Sequence, residues 1–170
     1  LNLPSLGELD GNQNGAEATQ LRTLTAGLRD HVARSPDQAG SWYLLGIGEL
    51  KLGAYDQSAE AFESAHKLIG ADANLDLYWL QARLLADKGQ LSEATKGIAQ
   101  RVLATQPNQP MVLNMLALAA YRSKDFATAV GYLNSALSNN LTEGQRELLG
   151  SGFDQARDAL GVTGATVDVA

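Results

Sequence analysis

Residues 40–65, GSWYLLGIGELKLGAYDQSAEAFESA, read as two amphipathic helices folded back on each other. Trp42, Leu45 and Gly46 mark one face of the first helix, and Ala59, Phe62 and Ala65 recur at the helical spacing of a buried face in the second. Between them stands Leu52-Gly53-Ala54-Tyr55, where Gly53 can take the positive φ that ends a helix and Tyr55 plugs the corner. The pattern returns about every 34 residues. Its second copy carries Tyr78, Ala82, Gly89, Leu91 and Ala94, and its third carries Leu113, Leu116, Ala117, Asp125, Phe126, Ala129, Leu133 and Ala136. Gly46, Ala82 and Ala117 are predicted where the first helix of each copy crosses the second, since a larger side chain would hold the backbones apart. In the third turn Asp125 is placed to cap the following helix.

This is the tetratricopeptide (TPR) period, and it predicts an all-α right-handed superhelix of three repeats, about 39–72, 75–108 and 110–143. The second copy is looser: Ala94 and Ile98 fit a buried face, but Pro107 comes one residue late, which predicts an irregularity in its second helix or its exit. A leading helix from Ala16 to Arg34 shows the stripe Ala18, Leu21, Leu24, Leu28 and Val32, and Ser35-Pro36-Asp37 ends it. At the other end Thr142-Glu143-Gly144-Gln145 has the form of a capping box. The helix it opens, about 143–160, would cover the last repeat with Leu148, Leu149, Phe153, Ala156 and Leu160, as an exposed terminal repeat requires. The TPR domain therefore spans 16–160, and 1–15 and 161–170 are expected to be mobile or extended tails.

Composition narrows the function. The chain has 170 residues, 45% hydrophobic and 19% charged, with a net charge of -6 and no basic run that could track a phosphate backbone, so neither nucleic acid nor an anionic bilayer is an expected partner. Without cysteine there is no thiolate metal site, disulfide or thiol catalysis. No apolar run reaches the roughly 20 residues that span a bilayer. The chain begins at Leu1, not at methionine, which points to a processed or truncated start with any membrane anchor upstream. Asp10-Gly11-Asn12-Gln13-Asn14-Gly15 opens like a calcium loop, but Leu21 stands where the closing glutamate belongs, and a linker is the better reading. Gly46-Ile47-Gly48 lacks the third glycine of a dinucleotide loop, His31 and His66 have no evident catalytic partner, and no serine sits in a Gly-x-Ser-x-Gly setting. The sequence predicts no enzyme, no metal and no cofactor.

A TPR array offers a groove whose inner wall is made by the first helix of each repeat. That face displays Tyr43, Leu44, Ile47, Leu50 and Lys51, then Trp79, Leu80, Arg83, Ala86 and Asp87, then Met111, Asn114, Met115, Leu118, Tyr121 and Arg122. Leu44, Leu80 and Met115 are assigned to packing between hairpins, which leaves Tyr43, Ile47, Trp79, Arg83, Asn114, Leu118, Tyr121 and Arg122 as the partner-binding set. The alternative reading is that Trp79 and Tyr121 are core aromatics that fall at these spacings. Chaperone-binding TPR domains clamp a terminal carboxylate with lysine and asparagine, and Tyr43 and Ile47 occupy those positions here. An aromatic and aliphatic groove edged by Arg83 and Arg122 suits an amphipathic helix with acidic residues beside its apolar stripe, and Met111 and Met115 add adaptability.

The run Leu21 to Leu45, LRTLTAGLRDHVARSPDQAGSWYLL, resembles the opening of the periplasmic TPR domain of cytochrome c biogenesis factors of the CcmI/CycH type and the related NrfG. The resemblance continues through a long joint between Leu68 and Leu77, a Leu-Leu-Ala-x-x-Gly second repeat, and Asp125-Phe126 leading to Tyr132-Leu133, and covers roughly Leu21 to Leu160. It implies a periplasmic domain, tethered through an absent N-terminal segment, that grips the C-terminal helix of apocytochrome c and presents it to the haem ligation machinery. An adaptor for a pilus, secretion or other envelope complex would need only the groove, and a self-associating scaffold would use the end faces.

Overall fold

The computed structural model describes residues 15–162, and the expectations for the two tails and the Asp10 loop fall on 1–14 and 163–170, outside them. The described chain is α1 (Gly15–Arg34), α2 (Ala39–Lys51), α3 (Tyr55–Ile69), α4 (Ala73–Ala86), α5 (Glu93–Thr105), α6 (Pro110–Arg122), α7 (Phe126–Leu137) and α8 (Glu143–Val162), with no strand among the described residues. The all-α tetratricopeptide class expected from the period is the one adopted. The chain forms two compact units that divide after Gly89.

In the first unit α1 packs on α2, α2 on α3 and α3 on α4, and α2 also touches α4. The turn between α2 and α3 is Leu52–Ala54, where Gly53 takes φ 75° and the Ala54 N–H donates to the Glu49 carbonyl at 2.9 Å. A helix closed by a left-handed residue reverses within three residues, so the hairpin is tight. At the crossing, a Cβ on Gly46 would lie 2.6 Å from Phe62, and the Ser58 hydroxyl donates to the Gly46 carbonyl at 2.7 Å. Only glycine fits there. The leading helix corrects one expectation: Leu24 is exposed, and Thr25 takes its place in the buried stripe. The Thr25 hydroxyl donates to the Leu21 carbonyl at 2.8 Å, which satisfies the group and lets the methyl face pack where Gly48 brings the α2 backbone close. The joint expected to be long is also shorter than read. Gly70, at φ 77°, ends α3, and Asp72 caps α4 by accepting from the Asn74 and Leu75 N–H groups, so only Gly70–Asp72 lie between the helices.

In the second unit α5 packs on α6, α6 on α7 and α7 on α8. Helix α5 is unbroken, but its buried face is Thr95, Ile98, Ala99 and Val102, and Ala94 is exposed. Ser58 and Ala129, the first buried residues of α3 and α7, follow Gly46 and Ala117 by twelve positions, whereas Thr95 follows Ala82 by thirteen. The irregularity signalled by Pro107 thus lies before α5, in a connection of six residues (87–92) where the other two hairpins use three (52–54 and 123–125). Leu113 and Ala117 of α6, Ala129, Leu133 and Ala136 of α7, and Leu149 and Ala156 of α8 form one buried cluster. Asp125 caps α7 through the Thr128 N–H at 3.2 Å. The capping box of α8 is reciprocal: the Gln145 N–H donates to Thr142 Oγ1 at 3.3 Å, and the Thr142 N–H donates to Gln145 Oε1 at 3.0 Å. Leu148, expected in the covering face, is 67% exposed, and the packed stripe is Leu149, Phe153, Ala156 and Leu160.

Candidate peptide-binding surface

Helices α2, α4 and α6 carry the residues predicted to line a groove, and each unit holds its own portion. In the first unit Tyr43 is half-buried, its ring edge-on to Phe62 at 5.9 Å and to Tyr78 at 6.0 Å. Burial, with smaller contributions from Tyr78 and Asp72, pushes the Tyr43 hydroxyl above the ordinary tyrosine range. Ile47 is half-buried one turn on. Leu44, assigned by sequence to packing between hairpins, is instead 55% exposed and adds to the accessible apolar surface of α2. Leu80, assigned likewise, is buried.

Trp79 is only 9% exposed. Its ring lies 5.0 Å from that of His66, whose Nδ1 is 3.0 Å from Oδ1 of buried Asp76. The aromatic surface of α4 is therefore mostly committed to the body of the unit. Arg83 Nη2 donates to Asp87 Oδ1 at 2.9 Å, one turn on, so that cation already has an anionic partner.

In the second unit the buried face of α6 is Val112, Leu113, Leu116 and Ala117. Met111, Asn114, Met115 and Leu118 form a second stripe at the spacing of adjacent turns, the first three half-buried and Leu118 48% exposed. Tyr121 packs against the buried cluster and meets Phe126 edge-on at 5.2 Å, leaving it partly accessible, and Arg122 is exposed. Helix α6 thus offers a stripe of methionines, one amide and one outward leucine. Such a face can take up apolar surface and adapt to its shape, but it holds no nucleophile with a base beside it. Among the described residues no group of three histidines, aspartates or glutamates is placed to hold a metal ion, and no helix is long and apolar enough to cross a membrane.

Helical hairpins recurring about every 34 residues, each with a small residue at its crossing, define a tetratricopeptide interaction module. Within that class the chain belongs to the cytochrome c-type biogenesis protein H TPR domain family, whose model matches residues 2–146. It is 28% identical over 149 residues to the cytochrome c-type biogenesis protein CycH of Pseudomonas aeruginosa, a match that takes in 86% of this chain and 36% of that protein. The chain therefore spans about a third of the length of that relative. Solved structures with a similar fold include MamA, with a TM-score of 0.65 at 12% identity covering 91% of each chain. Another is MamA from residue 41 to its end, from Desulfovibrio magneticus RS-1, with a TM-score of 0.57 at 13% identity covering 87% of this chain and 97% of that one. At such identities the likeness concerns the fold alone.

Proposed function

We propose that this domain is a non-catalytic polypeptide-binding module of cytochrome c maturation, working in the periplasm, that holds the C-terminal amphipathic helix of apocytochrome c for presentation to the haem ligation machinery. The observation that carries this reading is the family match across residues 2–146. The chemistry of the surface agrees with it. An amphipathic helix without its folded partner needs apolar surface to cover its stripe, and on α6 of the second unit Leu118 supplies an exposed aliphatic side chain while Met111 and Met115 supply pliable ones. Arg122 is an exposed cation at the end of α6, where it can meet acidic residues beside the partner's apolar stripe. Titration calorimetry with a peptide copying the C-terminal helix of a cognate apocytochrome c tests the reading. Leu118→Asp is expected to weaken binding by about thirtyfold, roughly 2 kcal/mol, without loss of helix content. Undiminished binding by that variant would remove the α6 stripe from the site.

A further inference from the structure

The first unit contains a cleft of about 370 Å³ that shares only Tyr43 with the residues predicted to line the groove. It opens where the first turns of α2 and α4 meet the end of α3. Its walls are Ile69, Leu75, Ala39 and Gly40, and Tyr43, Asp72 and Asn74 bring its polar groups. Apart from Asp72 the lining carries no ionised side chain, and Asp72 is exposed. Its cap bonds, from the Asn74 N–H at 3.0 Å and the Leu75 N–H at 2.9 Å, both go to Oδ1, so Oδ2 is not consumed in holding α4. Gly40 contributes no side chain, and a Cβ added there would meet nothing within 4 Å.

Two opposing fields act in this space. A helix N-terminus carries about half a positive charge, which favours an anion. At α4 that partial charge is already answered by the Asp72 cap, and only α2, whose N-cap Gln38 makes no side-chain bond, leaves its first turn unanswered. Taken together the two half-charges about balance the carboxylate, so the preference for a cation rests on the local acceptor, Asp72 Oδ2, which capping leaves over.

We propose that this cleft receives a lysine or arginine side chain of a bound polypeptide, its aliphatic stem lying on Ile69 and Ala39 and its cationic end at Asp72. Basic side chains commonly bury their stems against apolar walls and keep the charge beside an acceptor, which is the combination present here. The inference concerns one side chain and does not rest on the partner being an apocytochrome. Amide chemical shifts of the full chain at low ionic strength provide the test, with N-acetyl-lysine methylamide as probe and N-acetyl-norleucine methylamide as its uncharged counterpart. The lysine probe is expected to give saturable shifts at Gly40, Tyr43 and Asn74, with the norleucine probe about tenfold weaker. Asp72→Asn should reduce the lysine response to the norleucine level while leaving α4 capped, because asparagine caps a helix about as well as aspartate. Equal responses to the two probes, a lysine response unaffected by Asp72→Asn, or no saturable shift at these amides would overturn the proposal.

Discussion

Thr25 Oγ1 lies 2.6 Å from the point that a Cβ on Gly48 would occupy. The leading helix and the first repeat meet at that point with no room for a methyl group, because Thr25 is buried and its hydroxyl is tied back to Leu21. Gly48→Ala is expected to destabilise the protein by about 1–3 kcal/mol through overpacking. Adding Thr25→Ala should recover part of that loss, a coupling readable in a double-mutant cycle of urea midpoints. As a control, Gly150→Ala in α8, where a Cβ would meet nothing within 4 Å, should stabilise by about 0.5–1 kcal/mol. Additive effects of the Thr25 and Gly48 changes would contradict the contact.

Arg29 and Glu49 form the second link between α1 and the repeats. Arg29 Nε donates to Glu49 Oε1 at 2.6 Å, and the Glu49 side chain is buried with Oε2 unpartnered. The hydrogen bond raises the Arg29 pKa further above its already high value, so the guanidinium is charged throughout the usual pH range. Arg29→Ala would strand a buried carboxylate and should cost about 1–3 kcal/mol, a figure held down by the half-exposed guanidinium. Glu49→Gln in the Arg29→Ala background should restore stability, since the amide is cheaper to bury than the ion. Equal stability of the single and double variants in urea would show that the charge is solvated.

Tyr43 makes stability depend on alkaline pH. Its hydroxyl pKa is raised in the fold, chiefly by burial, so the folded state keeps the proton after the unfolded chain has begun to lose it. The stabilisation is therefore complete below about pH 10, the ordinary tyrosine value, and is lost as pH rises through the higher folded value. The wild type should lose more stability than Tyr43→Phe on going from neutral to strongly alkaline solution. Parallel melting curves against pH for the two proteins would contradict this.

Much of the fold was readable because it rests on local chemistry. Gly46 at a helix crossing, the Asp125 cap and the reciprocal Thr142–Gln145 box follow from backbone needs that neighbouring residues alone can meet. Hydrophobic spacing counts threonine as polar and so selects Leu24 over Thr25, although a hydroxyl bonded to its own helix can be buried. Leu148 and Leu149 are adjacent and equally apolar, so composition could not say which one turns inward. The candidate surface was less legible. Periodicity gives the side of α4 on which Trp79 stands, but its cover comes from His66 of α3, held by Asp76, and no repeat pattern encodes that contact.

Trp79 consequently belongs to stability more than to recognition. Trp79→Ala should lower stability by about 3–5 kcal/mol, as truncation of a buried aromatic does. Its effect on partner affinity should be small once measured at a temperature where the variant is folded. A melting temperature unchanged from wild type would mean that the indole is not packed in solution.

The central claim is that the surface binds an unpaired amphipathic helix, and it is tested most directly by comparing one cytochrome in two states. In titration calorimetry at fixed salt, the apocytochrome should bind with a saturable isotherm and the holocytochrome at least about a hundredfold more weakly, because the folded protein buries the apolar face of that helix against its own core. Equal affinity for the apo and holo forms would contradict the account.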